Sequence, residues 1–306
     1  MNIVSILLSV GVIFTVVLLQ DGMSVSAQQV NVNAAAERAQ SSPIFNPSAI
    51  TKESFATGRG DIFLLQKRKL FEVSLSGETG HSTNAFLSDD QRESDTYLRE
   101  RAALSVGTII AQAYSVGASI SAESTQFLNN GQLGSNVIST RLSGSRSIGT
   151  VSLGLTTGGA VVLNDDFDEV VRQIDLLMTA ATEAKVTELV QASASVALGY
   201  VIADPDDFSH VRGIANARVS MPLRNDVEVS LYGSGTVRRF RNFFRQNFTE
   251  DRQDLTTRAG VNLNYALFPA VAILADVSGV ANFSTLDAFH YSALDASLRV
   301  EARFAF

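Results

Sequence analysis

The stretch that decides the fold is Val190-Gln191-Ala192-Ser193-Ala194-Ser195-Val196-Ala197-Leu198-Gly199-Tyr200-Val201-Ile202. Its even-numbered positions are apolar, and most of the positions between them are polar or small. Successive side chains of a β-strand point to opposite faces, so this alternation predicts a strand with one apolar face and one polar face.

The same period of two recurs along most of the chain. Two further clear examples are residues 227–238 and 254–266. About twelve such stretches are predicted, and most reach the ~9–11 residues that a tilted strand needs to cross a bilayer. Their approximate ranges are 70–79, 96–107, 111–123, 137–145, 150–162, 173–181, 189–202, 211–221, 227–238, 254–266, 270–281 and 292–306.

The connections between these stretches alternate in length, which is typical of a transmembrane up-and-down barrel. Long polar connections follow the odd strands, and short ones follow the even strands. The short connections are expected around Thr108-Ile109, Arg146-Ser147, Glu183–Lys185, Pro222–Asp226 and Phe268-Pro269, and no proline is expected inside a strand. The predicted fold class is therefore all-β, a transmembrane antiparallel up-and-down β-barrel of about 12 strands.

The composition excludes several classes of function but does not identify one. Of 306 residues, 45% are hydrophobic and 18% are charged, with a net charge of -7 and no cysteine. An acidic chain has no basic excess to hold nucleic acid, so a nucleic-acid partner is excluded. The lack of cysteine removes disulfides and Cys-ligated zinc, and only His81, His210 and His290 could serve a histidine site. Neither a metal nor a cofactor is expected.

The N-terminus indicates export. Residues 3–19 are almost wholly apolar, and Val25-Ser26-Ala27 places small residues before a cleavage point. Residues 1–27 are predicted to be a signal peptide cleaved after Ala27, although an uncleaved membrane helix remains open. Residues 28–66 are predicted to be a flexible periplasmic leader, and residues 67–306 to be the barrel.

A barrel in lipid is inverted relative to a soluble sandwich, because its apolar face points outward and its polar face lines a lumen. Alternation alone cannot separate these two folds, but the number of strands, the loop asymmetry and the export signal favour the barrel. The side chains predicted to line the pore are Arg141, Arg212, Arg218, Glu228, Arg258, Asp276, Asp295, Arg299 and Glu301.

The last thirteen residues, Leu294 to Phe306, keep the apolar phase without a break to a terminal phenylalanine. This segment resembles the C-terminal strand of Gram-negative outer-membrane β-barrel proteins. The resemblance implies that Phe304 and Phe306 form a signal for the barrel-assembly machinery, and that the partners include outer-membrane lipid and lipopolysaccharide. The chain departs from that class in having no tryptophan for the aromatic girdles, where Tyr114, Tyr200 and Tyr265 could serve.

A shorter segment, Glu78-Thr79-Gly80-His81-Ser82-Thr83-Asn84-Ala85-Phe86 followed by Ser94–Tyr97, resembles the first hairpin of barrels encoded with exopolysaccharide-export systems. That resemblance implies possible polysaccharide-export components as partners.

The residues offer little support for an enzyme. His81 and Ser82 are adjacent, so in a strand they would point to opposite faces, unlike the His and Ser two residues apart in outer-membrane phospholipases. The acidic pairs Asp89-Asp90, Asp165-Asp166 and Asp206-Asp207 resemble those of rim proteases but equally suit any solvated loop.

The expected function is a passive pore or an export conduit in the outer membrane, with a lumen of mixed charge. The alternative is a non-transporting accessory surface protein linked to exopolysaccharide secretion, and an outer-membrane hydrolase is less favoured. The long loops carry one phenylalanine each, interpreted as loops that pack on themselves rather than as a binding surface: Phe86, Phe127, Phe167, Phe208, Phe240 and Phe283.

Overall fold

A computed structural model describes residues 71–87, 92–110, 114–241 and 251–306. The predicted signal peptide, leader and first residues of the barrel range lie outside these residues. The described strands are β1 (Phe71–Ser82), β2 (Asp95–Ile110), β3 (Tyr114–Phe127), β4 (Ser135–Ile148), β5 (Val151–Leu163), β6 (Glu169–Lys185), β7 (Gln191–Asp204), β8 (His210–Arg224), β9 (Val227–Phe240), β10 (Gln253–Phe268), β11 (Val271–Ser284) and β12 (Tyr291–Ala305).

The twelve strands of the described residues form one closed sheet in which each strand pairs antiparallel with the next. β12 returns to β1, with Glu72 opposite Ala305 and Ser82 opposite Asp295. At the seam, the backbone N–H of Phe306 donates to the carbonyl oxygen of Phe71 at 2.9 Å. A closed ladder leaves no unpaired edge. The predicted antiparallel up-and-down barrel and its strand number are confirmed.

Several predicted boundaries were wrong by a few residues. β2 continues through Ile110, so the connection expected at Thr108-Ile109 is not there. β4 and β5 are joined by Gly149 and Thr150 instead of Arg146-Ser147, and Gly149 supplies the positive φ of 59° that this tight turn requires. Strands also extend further toward the long loops than alternation indicated, because both faces become polar there while the backbone ladder continues.

Pro222 corrects the expectation that proline stays outside the strands. It lies inside β8, next to a register shift between Pro222 and Arg224. A bulge is where a strand tolerates a residue that cannot donate to the ladder.

The apolar face of the strands points outward. On β7, for example, Val196 is 59% exposed and Leu198 is 71% exposed, while Ala197 between them is buried. Leu142, Leu231 and Val261 share this outward placement on other strands. A soluble sandwich would bury these side chains, so the surface is the inverse of a soluble β-protein.

Three short 3-10 turns, at Gly131–Leu133, Asp206–Phe208 and Asp287–Phe289, lie in the long loops. Within the described ranges, no helix is long and apolar enough to cross a bilayer.

Candidate functional site

The candidate site is the inner wall of the barrel. All nine side chains predicted to line the pore occupy the strand phase opposite to the exposed apolar residues. Most of them form separate ion pairs or hydrogen bonds with other side chains of the inner wall.

Glu78 on β1 is the centre of one network, and it joins strands on both sides. It accepts hydrogen bonds from Arg99 Nη1 on β2 at 3.0 Å, from Arg299 Nε on β12 at 2.7 Å, and from the Tyr97 hydroxyl at 3.1 Å. Arg99 also lies 3.7 Å from Glu123 on β3. Four consecutive strands around the closure seam are therefore linked by charge on the inner wall.

Arg212 on β8 reaches Asp175 on β6 across the intervening strand. Its Nη2 donates to Asp175 Oδ2 at 2.9 Å, and both side chains are buried. Gly199 of β7 lies beneath this pair, and a Cβ there would lie 3.3 Å from Arg212 Nε. Gly158 of β5 has the same role on the other side of Asp175, because a Cβ there would lie 2.8 Å from Asp175 Oδ1 and 3.7 Å from Arg141 Nε.

A second bridge of this kind joins β9 to β11. The Tyr232 hydroxyl donates to Asp276, with oxygen–oxygen distances of 3.0 and 2.9 Å, and passes over Gly260 of β10. Arg258 on β10 similarly reaches Asp295 on β12, with an Nη2–Oδ2 distance of 2.8 Å. The ring of Tyr97 lies against Gly80 of β1 and fills the space that a side chain at Gly80 would occupy.

The end of the lumen at the short turns carries a more exposed charge pair and several serine hydroxyls. Arg218 and Glu228 lie 3.9 Å apart, with side chains 46% and 38% exposed. Glu301 accepts a hydrogen bond from Arg303 at 2.6 Å. Serine hydroxyls line another part of the wall, where Ser115 and Ser145 are 2.7 Å apart.

Three buried apolar clusters pack at the end of the barrel nearest the long loops. The first contains Val162, Val171 and Phe208, the second contains Phe240, Leu286 and Phe289, and the third contains Ala85, Phe86 and Leu133. Each cluster combines inward-facing strand residues with loop residues, or loop residues from two connections. Phe86 and Phe208 of the loops pack inward, as the self-packing interpretation expected. Phe240 also packs inward, but it is the last residue of β9 and not a loop residue. Phe167 is exposed, and Phe283 is exposed on β11 instead of lying in a loop.

Arg252 holds the second cluster at the rim. Its guanidinium pairs with Asp254, at 2.6 Å between Nη2 and Oδ2, and lies 3.7 Å from the ring centroid of Phe289. Phe240 stacks on the same guanidinium at 4.6 Å, and His210 contacts the Phe240 ring with centroids 5.0 Å apart. Contacts between a cation and aromatic rings are stronger where the cation is shielded from water, as Arg252 is here.

The candidate hydrolase residues do not come together. His81 is exposed on the outer face and Ser82 is buried on the inner face, so adjacency separates them as predicted. His81 instead contacts the Thr96 hydroxyl, with 3.2 Å between Nδ1 and Oγ1. Within the described ranges, no group of three or more histidine, aspartate or glutamate side chains is arranged so that it could hold a metal ion.

The two acidic pairs within the described residues lie in loops, where they take part in turns or contact the backbone. Asp89-Asp90 lies outside the described residues, and Asp206-Asp207 opens a 3-10 turn. Asp165 is exposed as a residue, but its carboxylate lies against the backbone at Gly134. This desolvation, followed by the charge of neighbouring Asp166, raises the pKa of the Asp165 carboxyl.

The segment resembling exopolysaccharide-associated barrels is explained by contacts within the chain. Glu78 binds two arginines, Asn84 Nδ2 donates to the carbonyl oxygen of Ser292 at 3.2 Å, and Phe86 is buried. The link to polysaccharide export stays a prediction.

Phe304 and Phe306 occupy the outer face at the end of β12. Phe306 is 74% exposed and makes its ladder contacts through its backbone. Little of its side chain packs on the described protein, so its role as an assembly signal also stays a prediction.

The set of predicted pore residues does not include several charged and aromatic side chains that lie on the inner face: Glu78, Tyr97, Arg99, Arg101, Glu123, Tyr232, Arg238 and Arg252. The alternation along each strand is the signal that identifies the residues located on strands, since each of them shares the face of the predicted pore residues. No local signal marks Arg252, because its ring contacts are with Phe240 and Phe289, which are distant from it in the sequence.

Comparisons with known proteins agree with the fold. No family model matches the chain, and no curated protein matches it. An outer-membrane channel from Pseudomonas putida F1 is similar in structure, with a TM-score of 0.55 and 10% identity, covering 80% of this chain and all (100%) of that one. The translocator domain of the autotransporter NalP from Neisseria meningitidis (TM-score 0.46, 10% identity, 92% and 100% covered) and an anion-selective porin from Comamonas acidovorans (0.41, 8%, 76% and 98%) are more distant.

Proposed function

We propose that this chain is an outer-membrane β-barrel that lets small hydrophilic solutes diffuse passively through its lumen. The observation that carries the proposal is the division of its two surfaces: apolar side chains cover the outside, while ion pairs and hydroxyls line the inside. Lipid covers such an exterior, and water enters such an interior. The structural likeness to an outer-membrane channel supports the same reading.

The charges of the lumen favour weak selectivity. Arg212, Arg258 and Arg299 are each paired with a carboxylate, so their fields are largely cancelled at the distance of a passing ion. Arg218 and Glu228 are the more exposed pair and lie toward the short turns. Solutes would meet their narrowest passage at the loop end, where Phe240 and Phe289 pack. A twelve-stranded barrel has a lumen between a filled eight-stranded barrel and an open sixteen-stranded porin.

The proposal is tested by adding purified, folded protein to planar lipid bilayers and recording single channels. Discrete conductance steps with a permeability ratio of anions to cations near one are expected, and heat-denatured protein gives none. Folded barrels that insert into the bilayer yet never conduct would contradict the pore and favour an accessory surface protein.

Location and assembly are part of the same proposal. The chain is expected in the outer membrane of a Gram-negative bacterium, cleaved after Ala27 and inserted by the barrel-assembly machinery, with lipopolysaccharide around its loop end. N-terminal sequencing of protein from outer-membrane fractions tests the cleavage point. Deleting Phe306 should lower the amount of folded protein in cells while leaving refolding of the purified chain into lipid little changed.

A further inference from the structure

Arg101 differs from several other arginines of the inner wall in having no carboxylate partner. Arg99, Arg258 and Arg299 each have a carboxylate oxygen within 3.0 Å. Arg101 lies on the inward face of β2, and within the described residues its guanidinium makes no hydrogen bond and no ion pair. The residue is half-buried, so it is a fixed positive charge at the lumen without a counter-charge bound to it.

The carboxylates whose charge acts on Arg101 are held by other arginines. They are Glu123 of β3 and Glu301 of β12. Glu123 is directly opposite Arg101 in the register, yet it lies 3.7 Å from Arg99. Glu301 accepts a hydrogen bond from Arg303 at 2.6 Å. The donors of the Arg101 guanidinium are therefore left for another acceptor.

Two further cations act on the same guanidinium, Arg141 of β4 and Arg299 of β12. Repulsion between like charges is screened less in a partly buried place than in bulk water. An anion beside Arg101 would relieve this repulsion. It would also satisfy the guanidinium, whose planar fork of donors matches the two oxygens of a carboxylate.

The wall between Arg101 and the short turns carries small residues and hydroxyls. Ala103 is the next inward residue on β2, and its register partners are Ser74 of β1 and Ser121 of β3. The hydroxyl oxygens of Ser121 and Ser139 are 2.8 Å apart. We call Ser74, Ser121 and Ser139 the serine patch. A hydroxyl both donates and accepts, so the serine patch suits the hydroxyl groups of a solute.

We infer that Arg101 and the serine patch form a binding site in the lumen for a hydroxylated carboxylic acid. Arg101 donates to the carboxylate of the solute, and the serine patch exchanges hydrogen bonds with its hydroxyls. One guanidinium carries one positive charge, which one carboxylate neutralises. A phosphate dianion fits less well, because it would keep a negative charge near Glu123 and Glu301.

This inference rests on the proposed function, since a solute must enter the lumen to reach Arg101. The site and the weak selectivity for small ions are compatible. In 1 M salt the Debye length is about 3 Å, so a single fixed charge acts only on what lies next to it. A solute that both Arg101 and the serine patch bind is held, whereas a small ion passes.

The test places a cysteine beside Arg101, since the chain has none of its own. Ala103→Cys puts a thiol on the same face two residues away, and Ala181→Cys, inward on β6, is the matched control. The rate at which a small uncharged thiosulfonate modifies each thiol is measured with folded protein in detergent micelles. Gluconate, a carboxylate with several hydroxyls, should slow the modification at position 103 several-fold and leave position 181 unchanged.

Comparison solutes and variants of Arg101 define the chemistry of the site. Sorbitol and sodium chloride at the same concentration should not protect position 103, and acetate should protect it less than gluconate does. Adding Arg101→Gln to Ala103→Cys should raise the gluconate concentration for half protection roughly tenfold, because a charge-assisted hydrogen bond is lost. Arg101→Lys should give an intermediate value, since lysine keeps the charge but not the planar fork.

The inference is overturned by gluconate protection that survives Arg101→Gln, by protection from sorbitol, acetate or chloride equal to that from gluconate, or by no protection at all. A shift in gel mobility on heating shows that each variant barrel has folded. A barrel that conducts in planar bilayers but is not protected keeps the pore and loses the site. Protection in a barrel that never conducts keeps the site and removes passive diffusion.

Discussion

Arg212 and Asp175 form a buried ion pair between β8 and β6, 2.9 Å from nitrogen to oxygen, that crosses the inner face of Gly199 on β7. The strands they join are not hydrogen-bonded to each other. A side-chain pair of this kind stiffens the wall beyond what the backbone ladder provides, and it exists only because the middle strand offers no side chain at that point. The charged part of the lumen thus depends on glycines as much as on charges.

Gly199→Ala should lower the free energy of unfolding by roughly 1–3 kcal/mol, the cost of overpacking a filled site. The added Cβ would lie 2.7 Å from Leu177 Cδ1 and 2.9 Å from the carbonyl oxygen of Leu176. Urea-induced unfolding in lipid vesicles measures the change. Gly235→Ala is the matched control, because a Cβ there meets nothing within 4 Å, and equal effects at both positions would mean that the bridge is not sterically constrained.

Arg218→Gln should shift ion selectivity toward cations, because it removes one half of the most exposed charge pair of the lumen and leaves Glu228. Reversal potentials in a salt gradient measure this shift. It should be larger at 0.1 M salt than at 1 M, since the Debye length falls from about 10 Å to about 3 Å. Arg146→Gln, on the outer face of β4, should leave selectivity unchanged, and Glu228→Gln should move it in the opposite direction.

Phe289→Ala should raise single-channel conductance, because it removes the ring on which Arg252 stacks at the loop end. Phe283→Ala is the control, since this residue faces outward from β11. If both variants conduct as the parent protein does, the apolar cluster does not limit the passage of ions.

Asp165→Asn should stabilise the turn Gly131–Leu133 and its neighbour Gly134 at neutral pH and have no effect near pH 3. The folded-state pKa of Asp165 is raised above its ordinary value of 3.8, so ionisation costs stability. That cost is absent below pH 3.8, grows as the pH rises through the raised pKa, and is complete above it. Hydrogen-exchange protection of the turn amides, compared between parent and variant at each pH, gives the measurement. A difference that does not change with pH would exclude the titration of Asp165.

The period of two sufficed to predict the strands and their phase, because burial in lipid on one side and polarity on the other imposes it residue by residue. It therefore placed Val196, Leu231 and Val261 on one face, and Arg212 and Arg258 on the other. It predicted the ends of the strands less well, since near the loops residues such as Thr96 and Ser82 are polar on either face while the ladder continues.

What alternation could not supply is which side chains meet across strands. The bridge over Gly199 depends on the register of three strands, and the stacking of Arg252 on Phe289 brings together two residues that are distant in the sequence.

Cysteines placed singly at Val196 and Ser195 test the inside-out barrel most directly. The two residues are neighbours in the middle of β7, with Val196 exposed on the outer face and Ser195 on the inner face, where its hydroxyl accepts a hydrogen bond from Asn216 at 3.2 Å. In liposomes, a lipid-dissolved thiol probe should label Val196→Cys, and a small water-soluble probe should label Ser195→Cys. Labelling of Ser195→Cys by the lipid probe, or protection of Val196→Cys from it, would contradict the account.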